Sequence, residues 1–284
     1  MEIRHTAEME WENGLDVVNA MTPEFRDHLG PADQIPETYV KYEQKTLTID
    51  PETTFRGDLI NLRAGYADLT DAYHDSVEEC FYLSGDNHLT GDGDYEGGHY
   101  FWRPPGIVHS ASTREGFSGL LFLEGKSEGD HSDYASRRIR PLEEAGQCVT
   151  EPDWDTAMGS RGWVRLNTRN VPWVEGVHWA RTQGDTALLD IEHLQVKVLS
   201  HNYATGAQSI MIRLEPGYRQ QGPLALDSRF YGFVLSGSFT VGDETLSEGS
   251  FLQTEAGEAT AGWASAEGAT MFAKLTGFLG ATSA

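Results

Sequence analysis

Residues 74–109 read HDSVEECFYLSGDNHLTGDGDYEGGHYFWRPPGIVH. Two short apolar runs, EECFYLSG and HYFWRPPG, flank a segment rich in Gly, Asp and Asn, which is the pattern of two strands joined by a hairpin. Along the first run Glu78, Cys80 and Tyr82 alternate with Glu79, Phe81 and Leu83, so one set shares a face. A strand starting at Glu78 turns that carboxylate inward with Cys80 and Tyr82. His74 then lies at the end of the preceding strand or in its turn. Pro104-Pro105-Gly106 bends the chain and delivers His109 onto the next strand.

The same order recurs in the second half. EECFYLSGD, a hairpin, GGHYFWRPPGIVH and GLLFLEG are followed much later by FYGFVLSGS, a hairpin, EGSFLQTEAGEAT and ATMFAKLTG. Gly85 pairs with Gly237 at an offset of 152, and Gly98, Gly106 and His109 pair with Gly249, Gly257 and Thr260 at 151. One deletion in the hairpin accounts for the difference. Strand–Gly–turn patterns recur by chance in any β protein, but the shared L-S-G and the preserved spacing favour a duplicated domain.

Outward from these motifs, short runs bounded by Gly, Asp, Asn and Pro continue from Tyr39 and resume after Trp163, as expected of an all-β chain with many turns. The expected division is an N-terminal arm at 1–37, a barrel at 38–126, a polar linker at 127–162 and a second barrel at 163–284. The arm carries breakers among helical stretches. Ala7–Met21 reads as one short helix and Thr22-Pro23 as the start of another, all packed on the first barrel.

With 44 acidic against 21 basic residues, the net charge of −23 argues against nucleic-acid or anionic-membrane binding. No apolar run approaches membrane-spanning length. Cys80 and Cys148 make neither a disulfide framework nor a metal pair. MEIRHTAEMEWENG lacks the apolar core of a signal peptide, so the expected compartment is the cytoplasm.

Two imidazoles and one carboxylate, His74, Glu78 and His109, converging in a barrel would leave open positions on a metal. That facial arrangement suits non-heme Fe(II) first, and Mn(II), Ni(II) or Zn(II) as well. Each residue alone has a plainer reading. A histidine near a turn is usually a surface group, and Glu78 beside Glu79 is usually a solvated pair. Tyr82, Tyr100, Trp102 and Arg103 are pocket candidates, with Arg103 available to anchor an oxygen anion. Their plainer reading is barrel core and rim. Cys80 reads first as a small buried hydrophobe. His88 and His131 read as exposed.

Glu78 with Gly85 gives E-x6-G, His74 gives H-x3-E, and Gly98, Pro104, Gly106 and His109 give G-x5-P-x-G-x2-H. In these spacings the chain resembles the cupin superfamily, well over residues 60–125 and weakly over 205–275. Thr113 stands in place of the closing Asn of the second motif, and Ala72 in place of the first histidine of the H-x-H pair. The resemblance implies two jelly-roll barrels in tandem and a metal held by His74, Glu78 and His109. Asp75, Tyr73 or His99 are the candidates for a fourth ligand. In the second repeat Leu224, Leu226, Phe230 and Thr260 occupy the ligand positions, and such a barrel offers too few lone pairs to hold a divalent cation.

The leading expectation is a metal-dependent oxygenase or dioxygenase acting on a small molecule, with O2 as co-substrate. His74, Glu78 and His109 would act through the metal, with Arg103 and Tyr82 beside it. A metal-dependent isomerase, lyase or decarboxylase is the alternative. A non-catalytic metal- or ligand-binding protein is a third. Exposed edge strands suggest a homodimer.

Overall fold

The computed structural model describes residues 1–21, 23–27, 29–50, 55–74, 76–104, 107–124, 139–141, 164–181, 193–201, 206–220 and 222–277. The chain divides into two compact units, each built on an antiparallel sheet that curls round its own core. In the first unit the central strand Val77–Leu89 is flanked by His99–Arg103 and Gly116–Glu124, then Arg56–Arg63, Tyr42–Ile49 and the two-residue Glu12–Asn13. In the second, Phe230–Val241 is flanked by Ser250–Thr254 and Ala269–Leu275, then Gln208–Leu214, Leu194–His201 and Val174–Glu175. The two orders are the same, as the repeat predicts.

The repeated glycines have a backbone cause. Gly85 and Gly237 have φ of 80° and 75°. A side chain there would also collide with the carbonyl of Gly116 or Gly268 on the neighbouring strand. Only glycine meets both conditions cheaply. Each stands two residues past the point, at Leu83 or Leu235, where the central strand shifts register with that neighbour.

The strand that completes each sheet comes from outside the expected boundaries. Val164–Asn167 pairs with His99–Arg103 in the first unit, and Glu2–His5 pairs with Ser250–Thr254 in the second. The arm at 1–37 is therefore divided, with its first strand on the second barrel and the remainder on the first. These segments are themselves a repeat, T-x4-W-x2-G, at Thr6, Trp11 and Gly14 and at Thr168, Trp173 and Gly176. Thr6 donates through its backbone N–H and its hydroxyl to the Gly249 carbonyl, and Thr168 does the same to that of Gly98. Lys45 lies 4.4 Å over the Trp11 ring and Lys197 4.7 Å over that of Trp173. A four-residue edge strand is selected by a backbone ladder, which leaves little side-chain pattern to read.

The expected helix over Ala7–Met21 is broken into a 3-10 turn at Thr6–Glu8, the strand Glu12–Asn13 and a helix at Gly14–Asn19. Asn13 accepts from the Leu15 N–H and so fixes the later start. A further helix spans Pro23–Asp27, as expected from Pro23, although Thr22 lies outside the described residues. No helix among the described residues is long and apolar enough to cross a membrane.

Candidate metal centre

The ligand atoms offered by His74, Glu78 and His109 all lie within 4.8 Å of one another. Glu78 sits near the start of the central strand, and its alternation with Cys80 and Tyr82 faces the barrel interior, since all three line one cavity. His74 closes the short strand Ala72–His74. That strand is tied to the third residue, because Ala72 and His109 exchange both backbone hydrogen bonds, at 2.9 and 2.8 Å. Residues paired in this way carry their side chains on one face. Position 72 is where the resemblance leads one to expect another imidazole, and the alanine leaves three donors.

Glu78 Oε2 is 3.6 Å from His74 Nε2 and 3.8 Å from His109 Nε2. Two donors bound at about 2.1 Å to one ion stand about 3.0–3.4 Å apart, close to both Glu78 distances. The protonation states also fit. Nδ1 of His109 donates to the Ile107 carbonyl at 3.0 Å, which leaves Nε2 with its lone pair toward Glu78. Burial, with the nearby Arg103 guanidinium, lowers the His109 pKa to about 3. Burial would raise the Glu78 carboxyl, but Arg103, with His74 and His109, overrides it and holds the pKa at about 2. A neutral imidazole and an ionised carboxylate are what a divalent cation requires. The group can hold a metal.

Arg103 does not line the cavity. It lies directly across the ladder from Glu78 and grips Oε2 through Nε at 2.7 Å and a terminal nitrogen at 2.5 Å. It is 1% exposed, so the pair is internal. Tyr100 and Trp102 alternate with Phe101 and Arg103 and do not line the cavity, whereas Phe101 does. The Tyr100 hydroxyl donates instead to Glu79 at 2.9 Å.

Of the candidates for a fourth ligand, the two that are described do not join the group. Neither Tyr73 nor His99 lines the cavity, and Nδ1 of His99 accepts from the Glu96 N–H. Asp75 lies outside the described residues, as do His131 and Cys148. His88 is exposed, as expected, 2.7 Å from Asp94. Burial pushes the Cys80 thiol well up, which suits a packed hydrophobe.

The cavity over these residues measures about 140 Å3. Asp68, Asn87, Tyr42 and Tyr66 also line it, none of them singled out from the sequence. Asp68 is half-buried and accepts from the Tyr66 hydroxyl at 2.5 Å and the Ala111 N–H at 2.6 Å. A signal was present: Gly65-Tyr66-x-Asp68 recurs as Gly217-Tyr218-x-Gln220 at an offset of 152.

No protein-family model matches the sequence, and no curated protein matches it. Solved structures do resemble the chain. A protein of Nostoc punctiforme described as a "putative dioxygenase" is similar over 99% of this chain and 87% of its own, at 14% identity and a TM-score of 0.66. Oxalate decarboxylase from Bacillus subtilis is similar over 85% and 73%, at 14% identity and 0.53. Protein YlbA from E. coli is similar over 83% of each chain, at 13% and 0.51. Identities this low establish a shared fold and nothing finer.

Proposed function

We propose that this chain, two barrels of the cupin fold in tandem, is a metal-dependent enzyme for a small organic molecule, with the chemistry confined to its first barrel. The observation that carries the reading is the convergence of His74, Glu78 and His109 at the wall of one cavity. We read the reaction as an oxygenation, with Fe(II) as the metal and both atoms of O2 entering the substrate in the dioxygenase case. A bound Fe(II) would supply open coordination positions for substrate oxygen and for O2.

The chain's own residues do the remainder. Arg103 fixes the Glu78 carboxylate in one orientation, and Ile107 fixes the His109 tautomer. The apolar wall of Ile60, Leu62, Phe101 and Phe117 excludes water and holds an apolar substrate body beside the three donors. Tyr82 packs face to face on Tyr95, with ring centroids 4.9 Å apart, and stiffens the wall beyond Cys80.

Asp68 favours a second reading. A further carboxylate lining the same cavity suits proton transfer, as in an isomerase, lyase or decarboxylase, where a metal acts as Lewis acid and O2 is not consumed. One experiment separates these. Protein purified without a chelating tag is assayed for metal content, loaded with Fe(II), and screened for turnover of small enols and phenols with and without O2. Turnover only with O2 supports the first reading, and equal turnover without it supports the second. Wild-type protein that binds no divalent metal would sink both.

A further inference from the structure

Charges of alternating sign lead away from the donors of the first barrel. Nε and Nη2 of Arg103 lie 2.7 and 2.5 Å from Oε2 of Glu78. The other terminal nitrogen, Nη1, makes no hydrogen bond and stands 3.9 Å from Oδ2 of Asp92. Oδ1 of Asp92 is in turn 4.0 Å from Nη1 of Arg165. The Glu78, Arg103 and Asp92 side chains are 9%, 1% and 4% exposed, and only Arg165, at 43%, reaches water freely. Asp92 is fixed from its own turn. Its N–H donates to the Leu89 carbonyl at 3.0 Å, and Oδ2 accepts from the Tyr95 hydroxyl at 2.5 Å. Arg165 donates to the carbonyls of Asp92 and Asp94 and lies 4.6 Å over the Tyr95 ring.

The second barrel lacks the whole chain of charges. Phe230 stands for Glu78 and Thr254 for Arg103, and Ile3, packed on the core, takes the place of Arg165 in the pairing of the closing strand. The turn differs too. Leu89 pairs with Gly93 across three residues, whereas Val241 pairs with Glu244 across two, and the shorter turn leaves Asp243 exposed. This extra residue is what separates the offsets of 152 and 151 in the repeat. Closing a barrel therefore requires neither the longer turn nor the ions. They accompany the donors.

A reason lies in the charge of the ion itself. A divalent cation on Glu78 sits beside the Arg103 guanidinium, and the repulsion between them both opposes binding and pulls the carboxylate two ways. A fixed anion on the far side of the guanidinium offsets that repulsion, and a buried one is screened little by salt.

We propose that Asp92 is a positioning residue of the metal centre, acting through Arg103 to keep Glu78 oriented for a divalent ion. This rests on the reading of His74, Glu78 and His109 as that centre. The test measures Zn(II) dissociation constants and the visible absorption of Co(II) on the full chain, with circular dichroism as the check on folding. Asp92→Asn is expected to weaken Zn(II) about tenfold, the low end of what outer partners of a ligand contribute, and to alter the Co(II) bands, which follow donor geometry. Asp92→Glu keeps the charge and should recover most of the affinity. Asp94→Asn removes the same charge from a side chain 87% exposed and should bind as wild type does. In an Arg103→Met background, Asp92→Asn should change nothing further, because the link it acts through is gone.

Affinity in Asp92→Asn equal to wild type, an equal loss in Asp94→Asn, or a loss of the same size beside Arg103→Met would each overturn the proposal. So would an Asp92→Asn chain that no longer folds, since the side chain would then hold the barrel and not the centre. Should Arg103→Met fail to fold, the contrast between positions 92 and 94, with rescue by Asp92→Glu, decides the matter. Wild type that binds neither ion sinks the metal centre and this inference together. Wild type that binds both, with no effect at Asp92, sinks this inference alone.

Discussion

Where the first barrel places His74, Glu78 and His109, the second has Leu226, Phe230 and Thr260 at the equivalent positions. The backbone frame is shared closely. The pairing of Ala72 with His109 is repeated by Leu224 with Thr260, and the pairing of Glu78 with Arg103 by Phe230 with Thr254. Outside the core, the threonine clamps and the lysines over Trp11 and Trp173 are repeated as well. What differs is the interior. The second barrel is filled by Phe230, Phe239, Trp179 and Trp263, and its cavity of about 40 Å3 is less than a third of the other. The fold is thus held by strand pairing, glycines and edge clamps, which leaves the interior free either to carry ionised donors or to be packed with rings.

Removing the charge that the second barrel lacks should have the largest effect. Glu78→Ala strands Arg103 in the interior and is expected to cost about 3–5 kcal/mol, read from denaturant unfolding. Giving the first barrel the second's residues at both positions, Glu78→Phe with Arg103→Thr, should be far milder than Glu78→Phe alone. If the double variant is as unstable as the single one, the pair is not what the interior must balance.

The next effect is on metal. His109→Ala should lower affinity for a divalent ion by about 100-fold or more, with the circular dichroism spectrum unchanged. Thr260→Ala, its counterpart, should change metal content not at all. A wild-type metal stoichiometry in His109→Ala would remove the asymmetry on which the comparison rests.

Acid should distinguish the barrels too. The folded pKa of His109, about 3, lies below its ordinary 6.5, so as pH falls below 6.5 the unfolded chain takes up a proton that the folded one refuses. Glu78, about 2 against an ordinary 4.5, adds to this below pH 4.5, since its contribution is complete above that value and lost as pH falls toward 2. Both push the same way. In metal-free protein, stability should fall by about 1.4 kcal/mol per pH unit from His109 between pH 6.5 and 4.5, and more steeply below. His109→Gln should flatten the upper part of that profile.

The smallest effect tests what the barrels share. Lys45→Ala and Lys197→Ala each remove a cation from a tryptophan face and should cost about 0.5–1 kcal/mol. Arg213 lies 4.0 Å over the same Trp173 ring and should soften the loss at Lys197. A cost well above 1 kcal/mol at either site would mean that the repeated clamp bears more of the fold than a single cation–ring contact accounts for.

The sequence by itself determined the doubling, the strands of each core and the three donors. Alternation puts Glu78 on a face, the repeated glycines mark bends that no other residue tolerates, and the spacing to His109 follows from them. It did not determine which segment closes which barrel, because Glu2–His5 and Val164–Asn167 are chosen by backbone pairing with partners far along the chain. Nor did it determine that Arg103 serves Glu78, or that Asp68 and Asn87 face the cavity. Register across a ladder and the direction of a side chain exist only once distant strands are paired, and no local pattern encodes them.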